Sequence, residues 1–259
     1  MIDIGPDERG TTKELFPDRP GPLAGQHVIH TGIGRLLVDR WPGPRAAVAR
    51  AGLFVQLAGE VERLDGHELR ELTPVGFIDA AAPYHALVAR TFPRATRWER
   101  VISILESLAP PPPAPATVRR LGPEDAAALH DLDDDVHWIS DSLGGPVRAA
   151  ESGLAFGAFV GRDLASVAVP YHLGIGYEDI GVVTRQGFRG RGLSPACAGH
   201  VVADVRSRGR IPSWSTSPDN LASLAVARKL GARKDRDDVL WVTGTGLPVP
   251  AAHPGEGES

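Results

Sequence analysis

Two arginines, two glycines and a hydroxyl are packed into six residues at Arg189-Gly190-Arg191-Gly192-Leu193-Ser194. Glycine lets the backbone turn tightly enough for successive N–H groups to converge on one point, and a helix opening at Ser194-Pro195 adds its positive end there. Arg189 and Arg191 supply two further charges, so the stretch reads as a pocket for a polyanion, above all a pyrophosphate. Single positions exclude two common phosphate loops. A dinucleotide fingerprint needs a third glycine three residues beyond Gly192, where the chain has Pro195. A nucleotide P-loop starting at Gly187 needs lysine after Gly192, where the chain has Leu193, which argues against ATP or GTP hydrolysis.

Such a loop works only where a strand delivers it and a helix leaves it. Residues 177–184 form an apolar run without strict alternation, which predicts a strand covered on both faces. Beyond the loop, Ala198, Val201, Val202 and Val205 repeat at helical spacing, with Gly209 as terminator; Ser223, Val226, Ala227 and Leu230 repeat likewise before Gly231. Both helices are read as opening with a serine N-cap and proline, Ser194-Pro195 and Ser217-Pro218. Strands are predicted at 117–120, 154–160, 164–169, 211–216 and 239–243, with a hairpin turn at Gly161-Arg162-Asp163 and an acidic run at 131–135 that closes an earlier helix. This alternation is α/β over a mixed sheet.

Residues 109–116 include four consecutive prolines and read as an extended spacer. It separates an N-terminal α/β segment, 26–108, from a C-terminal domain, 117–245. Residues 1–25 read as a loosely ordered leader and 246–259 as a disordered tail. Within the N-terminal segment, 27–41 and 53–58 look like strands, 83–90 and 98–108 like helices. No internal repeat is legible.

The 259 residues carry a net charge of −4 with no polybasic block, so nucleic acid is not an expected partner. No stretch reaches the length of a membrane span, and Met1-Ile2-Asp3-Ile4-Gly5-Pro6 lacks the basic and apolar regions of a signal, which points to a cytoplasmic protein without a membrane partner. The single cysteine, Cys197, excludes an intramolecular disulfide and a cysteine-cluster metal site; no metal is expected, and Cys197 reads as a small buried residue.

Residues 189–194, following a valine-rich strand, resemble the R/Q-x-x-G-x-G/A pyrophosphate loop of the GNAT acyl-CoA N-acyltransferases. Residues 212–223 and 226–231 resemble that family's second cofactor motif, in which an asparagine heads the helix beneath the pantetheine arm. More loosely, 38–45 and 53–59 resemble the leading half of two-part bacterial members, without an R-x-x-G-x-G loop of their own. The resemblance implies a GNAT-type mixed sheet flanked by helices, preceded by a smaller α/β segment of degenerate GNAT-like form. It implies acetyl-CoA as co-substrate and direct transfer, in a ternary complex, to a primary amine of a small molecule.

By the same resemblance, Arg189, Gly190, Arg191, Gly192, Leu193 and Ser194 hold the pyrophosphate. Backbone groups of Val182, Val183 and Thr184 pair with the pantetheine amides, one N–H there stabilising the oxyanion, and Asn220 and Ser223 contact the arm from the other side. A carboxylate base is implied at the start of the central strand, where Glu178 and Asp179 point to opposite faces. Glu178 is taken as the base, with His172 as a second candidate. The tyrosine that many relatives use to protonate the thiolate falls at Ala227. A protein N-terminal or lysine acetyltransferase, and a non-catalytic acyl-CoA sensor, remain as alternatives.

Overall fold

The computed structural model describes residues 1–106 and 110–247. From the N-terminus the elements are β1 (Ile2–Asp3), α1 (Ala24–Thr31), β2 (Arg35–Val38), β3 (Ala46–Ala51), β4 (Phe54–Gly59), α2 (Gly66–Leu72), β5 (Gly76–Asp79), α3 (His85–Thr91) and β6 (Thr96–Ile104). The second half repeats that succession: β7 (Thr117–Arg120), α4 (Ala126–His130), α5 (Pro146–Glu151), β8 (Phe156–Val160), β9 (Asp163–Leu173), β10 (Tyr177–Thr184), α6 (Leu193–Ser207), β11 (Ile211–Thr216), α7 (Leu221–Lys229) and β12 (Arg233–Thr243).

All of these strands join one mixed sheet in the order β1-β2-β3-β4-β5-β12-β6-β11-β10-β9-β8-β7. The order is symmetric about its centre, where the two halves exchange their last strands. β6 pairs with β11 and β12, and β12 pairs with β6 and β5. A duplication is therefore plain in the topology although no sequence repeat announces it.

Apolar clusters cover both faces of β10. On one face Ile180 packs with Leu193, Cys197, Val201 and Val205 of α6 and with Trp214 of β11. On the other, Val183 packs with Ile139, Leu143 and Tyr171. This two-sided burial explains why the run 177–184 shows no strict alternation.

Four expectations about the chain change. Residues 98–108 read as a helix, but β6 is a central strand, and consecutive burial of Ile102, Ser103 and Ile104 erases the period-two pattern there. Residues 27–31 read as strand because of Val28 and Ile29, yet they belong to α1, which ends at Gly32 with φ 70°. The first 25 residues are packed rather than loose: Phe16 and Leu23 are buried, and the buried Arg9 guanidinium donates to the carbonyls of Ile4, Val28, Gly32 and Gly34. Of the proline-rich spacer, Pro111 and Pro112 lie against Gly199 of α6, where a Cβ would come within 3.0 Å of them. Residues 107–109 and 248–259, including most of the expected tail, lie outside the described residues.

Candidate active site

β10 and β11 run parallel only through Tyr177–Ile211, Glu178–Pro212 and Asp179–Ser213. Beyond that point β10 stays with β9 as far as Thr184–Ser166, while β11 stays with β6 as far as Thr216–Val101. The sheet forks. The edge of β10 from Ile180 to Thr184 is left without a strand partner on the β11 side, and a cleft of about 560 Å³ opens there. Residues 180–184, 214–216, 188–190 and 192–195 line it, with Asn220, Ser223 and Val226 from α7.

The glycine–arginine loop closes one end of this cleft. Gly190 has φ 78° and Gly192 φ 77°, left-handed values that favour glycine, and Gly192 is the N-cap of α6. The helix therefore starts at Leu193, two residues earlier than a Ser194 N-cap implies, and Ser194 and Pro195 lie inside its first turn. Leu193 is buried and anchors the turn in the core. A hydroxyl chain fixes the rest: Ser166 donates to the Val183 carbonyl, which leaves Thr184 to donate to Ser166 and Ser194 to Thr184, at 2.8 and 2.6 Å. Arg189 donates to the Thr184 carbonyl and pairs with Asp135 at 2.8 Å, while Arg191 stacks over Phe188. The acidic run is thus partly spent on cations, Asp133 on Arg185 and Asp135 on Arg189.

On the facing helix, Asn220 rather than Ser217 is the N-cap of α7; its Oδ1 accepts from the Ser223 N–H at 3.0 Å. That leaves the side-chain NH2 of Asn220 as its donor. Ser223 Oγ accepts from the Trp214 indole at 3.0 Å and has its own proton to give.

The two carboxylates of β10 part company. Glu178 is fully buried on the α6 face, where it accepts a two-pronged hydrogen bond from Arg208 at 2.5 and 2.7 Å and a further one from Arg210. Both its oxygens are engaged, and neither it nor Asp179 is among the residues that line the cleft. Alternation could not say which face held which carboxylate. Asp179, on the opposite face, stands at the last paired position before the fork. Its Oδ1 accepts from Ser213 at 2.7 Å and Ser215 at 3.1 Å, across the two strands that part. Burial pushes its carboxyl up to about 6, against the pull of the two serines and Arg100. His172, opposite Asp179 on β9, is buried among Phe54, Tyr171 and His27 with Nε2 unpartnered, and burial holds its pKa well below normal. The Cys197 thiol is buried, donates to the Phe156 carbonyl and is pushed up to about 12, as an inert core residue should be.

A family model described as GNAT acetyltransferase matches residues 139–237. An uncharacterised N-acetyltransferase from the mutA 5′ region of Streptomyces virginiae is 36% identical over 214 residues, covering 80% of this chain and 90% of that protein. The chain belongs to the GNAT acetyltransferase family.

An uncharacterised N-acetyltransferase of Bacillus subtilis, YdfB, is 27% identical over 108 residues, 42% of this chain and 40% of that protein. Among solved structures, a GCN5-related N-acetyltransferase-like protein from Streptococcus suis superposes with a TM-score of 0.70 at 19% identity, covering 91% of this chain and 98% of the other. A tandem GNAT protein from the clavulanic acid biosynthesis pathway superposes with a TM-score of 0.57 at 15% identity, covering 96% and 99%. These two share the fold, including its tandem form. This GNAT chain is accordingly an N-acetyltransferase. Its α7 turns Ala227 into the core, 3% exposed, so the tyrosine expected at that place has no counterpart in the cleft. Among the described residues, no helix is long and apolar enough to cross a membrane.

Proposed function

We propose that this GNAT enzyme transfers the acetyl group of acetyl-CoA to a primary amine of a small molecule, by direct attack within a ternary complex. The fork between β10 and β11 carries this reading. Its volume suits a cofactor arm. The left-handed glycines and the first turn of α6 offer N–H groups to a pyrophosphate, with Arg191 and Arg189 alongside. The free edge of Val182, Val183 and Thr184 offers the amide groups that a pantetheine arm needs, and a backbone N–H there suits an oxyanion. Asn220 and Ser223 contribute donors from the opposite wall.

In this mechanism the base is Asp179. The amine nitrogen bonds to the acetyl carbon, the carbon–sulfur bond breaks, and the proton shed by the amine passes to the Asp179 carboxylate. A pKa of about 6 leaves that carboxylate ionised at neutral pH while keeping it more basic than an ordinary aspartate. The thiolate leaves without a tyrosine, which its low basicity permits. A small acceptor is supported by what covers this face of the sheet: Gly21 donates to Ser213, Arg236 donates to the Pro20 carbonyl, and Asp18 caps the N–H groups of Ile175 and Gly176. The strap 18–22 leaves little room for a peptide beside Asp179.

A second reading, binding without transfer, has one observation behind it: none of the three tyrosines lines the cleft. Mixing the protein with acetyl-CoA and a panel of small primary amines, and reading free thiol, separates the two. Thiol release above hydrolysis with at least one amine supports transfer; tight acetyl-CoA binding with no turnover across the panel selects the second reading.

A further inference from the structure

The N-terminal half forks as the C-terminal half does. β4 and β5 run parallel through Phe54–Phe77, Val55–Ile78 and Gln56–Asp79, and then separate. What stands around this second fork is different. Asp65 caps α2, its carboxylate accepting from the N–H groups of His67 and Glu68, so the place a phosphate would take is filled by the chain's own anion. The Tyr84 hydroxyl donates to the Gly59 carbonyl at 2.5 Å and ties the two arms together. A pyrophosphate and its long arm are shut out.

The arms nevertheless frame an open-sided cavity of about 150 Å³. A cavity of about that volume accommodates a benzene ring. Leu57, Ala58, Ala80 and Pro22 give it apolar walls, and Arg19, Arg100, Asp79 and Asp238 also line it. The Arg100 side chain is only 9% exposed, and its Nη2 serves both Asp79 and Asp238. Its Nε–H is buried without an acceptor, and so is the Nε–H of Arg19. Two guanidinium donors left unsatisfied beside one cavity are costly unless something supplies acceptors. Burial raises the pKa of Asp79, against the pull of Arg100 and Arg19.

We propose that the N-terminal fork binds a small monocarboxylate, whose oxygens accept from Arg19 and Arg100 while its apolar body fills the space between Leu57 and Ala80. The site is separate from the cleft at β10 and β11, and the inference stands whether or not acetyl transfer is the reaction there.

Calorimetric titration of the full chain with benzoate and with isovalerate tests it, with benzamide as the uncharged counterpart of benzoate. Saturable binding of a carboxylate is expected, weakened at least about tenfold for benzamide and in Arg19→Gln, where a charge-assisted hydrogen bond is lost. Arg100→Gln would strip the buried Asp79 of its partner and risk the fold. Ala81→Leu, at an exposed rim position, therefore gives the second variant; it should block binding without touching the core. Gly192→Asp, in the other cleft, should leave carboxylate binding unchanged. No heat from either acid at millimolar concentration overturns the proposal. So does binding that benzamide matches, or that Arg19→Gln and Ala81→Leu leave intact.

Discussion

Replacing Asp179 with asparagine should cost the enzyme its turnover and, at neutral pH, make it more stable. The carboxyl lies at about 6 in the folded chain against an ordinary value of 3.8, with burial as the largest cause. Two units at about 1.4 kcal/mol each give about 3 kcal/mol as the native-state cost of carrying that charge, and partial exposure of the side chain trims the usable figure to about 1–2 kcal/mol. Because the folded pKa is raised, the stability linked to this group is fully present below about pH 4 and is lost as pH rises through about 6. Asparagine is neutral throughout and its Oδ1 still accepts from Ser213 and Ser215. Urea unfolding should thus favour Asp179→Asn at about pH 8, and the advantage should fade toward about pH 4. In wild type, kcat should fall on the acid side near pH 6, and the variant should lose about 100-fold or more in kcat. A variant less stable than wild type at about pH 8 would refute the burial argument. Wild-type kcat in the variant would remove Asp179 from the chemistry.

Substitutions at three other positions probe the same framework. Glu178→Gln leaves Arg208 and Arg210 facing a neutral amide in a buried place and should cost about 3 kcal/mol in urea unfolding, while the folded variant keeps its acetyl-CoA affinity; unchanged stability with a large drop in kcat would return the base role to Glu178. Gly192→Asp puts a carboxylate on a left-handed residue at the helix start and should abolish acetyl-CoA binding in calorimetry, whereas Gly192→Ala should mainly lose about 1 kcal/mol of stability; equal affinity in Gly192→Asp would unseat the pyrophosphate assignment. Ala227→Tyr, which restores the family's common residue, should overpack the core, lowering stability by about 1–3 kcal/mol without raising kcat; a faster enzyme would mean that α7 can turn that side chain into the cleft.

Much of the C-terminal half was legible because its signals are local. β10 and β11 fall at the residues read for them, and the glycine–arginine loop leads into α6. The N-caps were missed by a few residues because several hydroxyl and amide side chains compete there, and only geometry chose Gly192 and Asn220. Nothing local distinguishes Glu178 from Asp179: alternation separates them, but which face meets α6 depends on the arginines that wait beyond its end. β6 and α1 were misread because a buried strand and a buried helix share the same apolar vocabulary. The duplication left no trace in residue types: at the equivalent forks Gln56 pairs with Asp79 in one half and Asp179 with Ser213 in the other.

The mutual lending of final strands at the middle of the sheet has an evolutionary price. β6, made before the proline-rich crossing, completes the flank of β11, and β12, made last, completes the flank of β5. A gene trimmed to the stretch that matches the family model would leave β8 without β7 and β11 without β6, two raw β edges open to pairing with other copies. Neither half closes the middle of the sheet without the other's last strand.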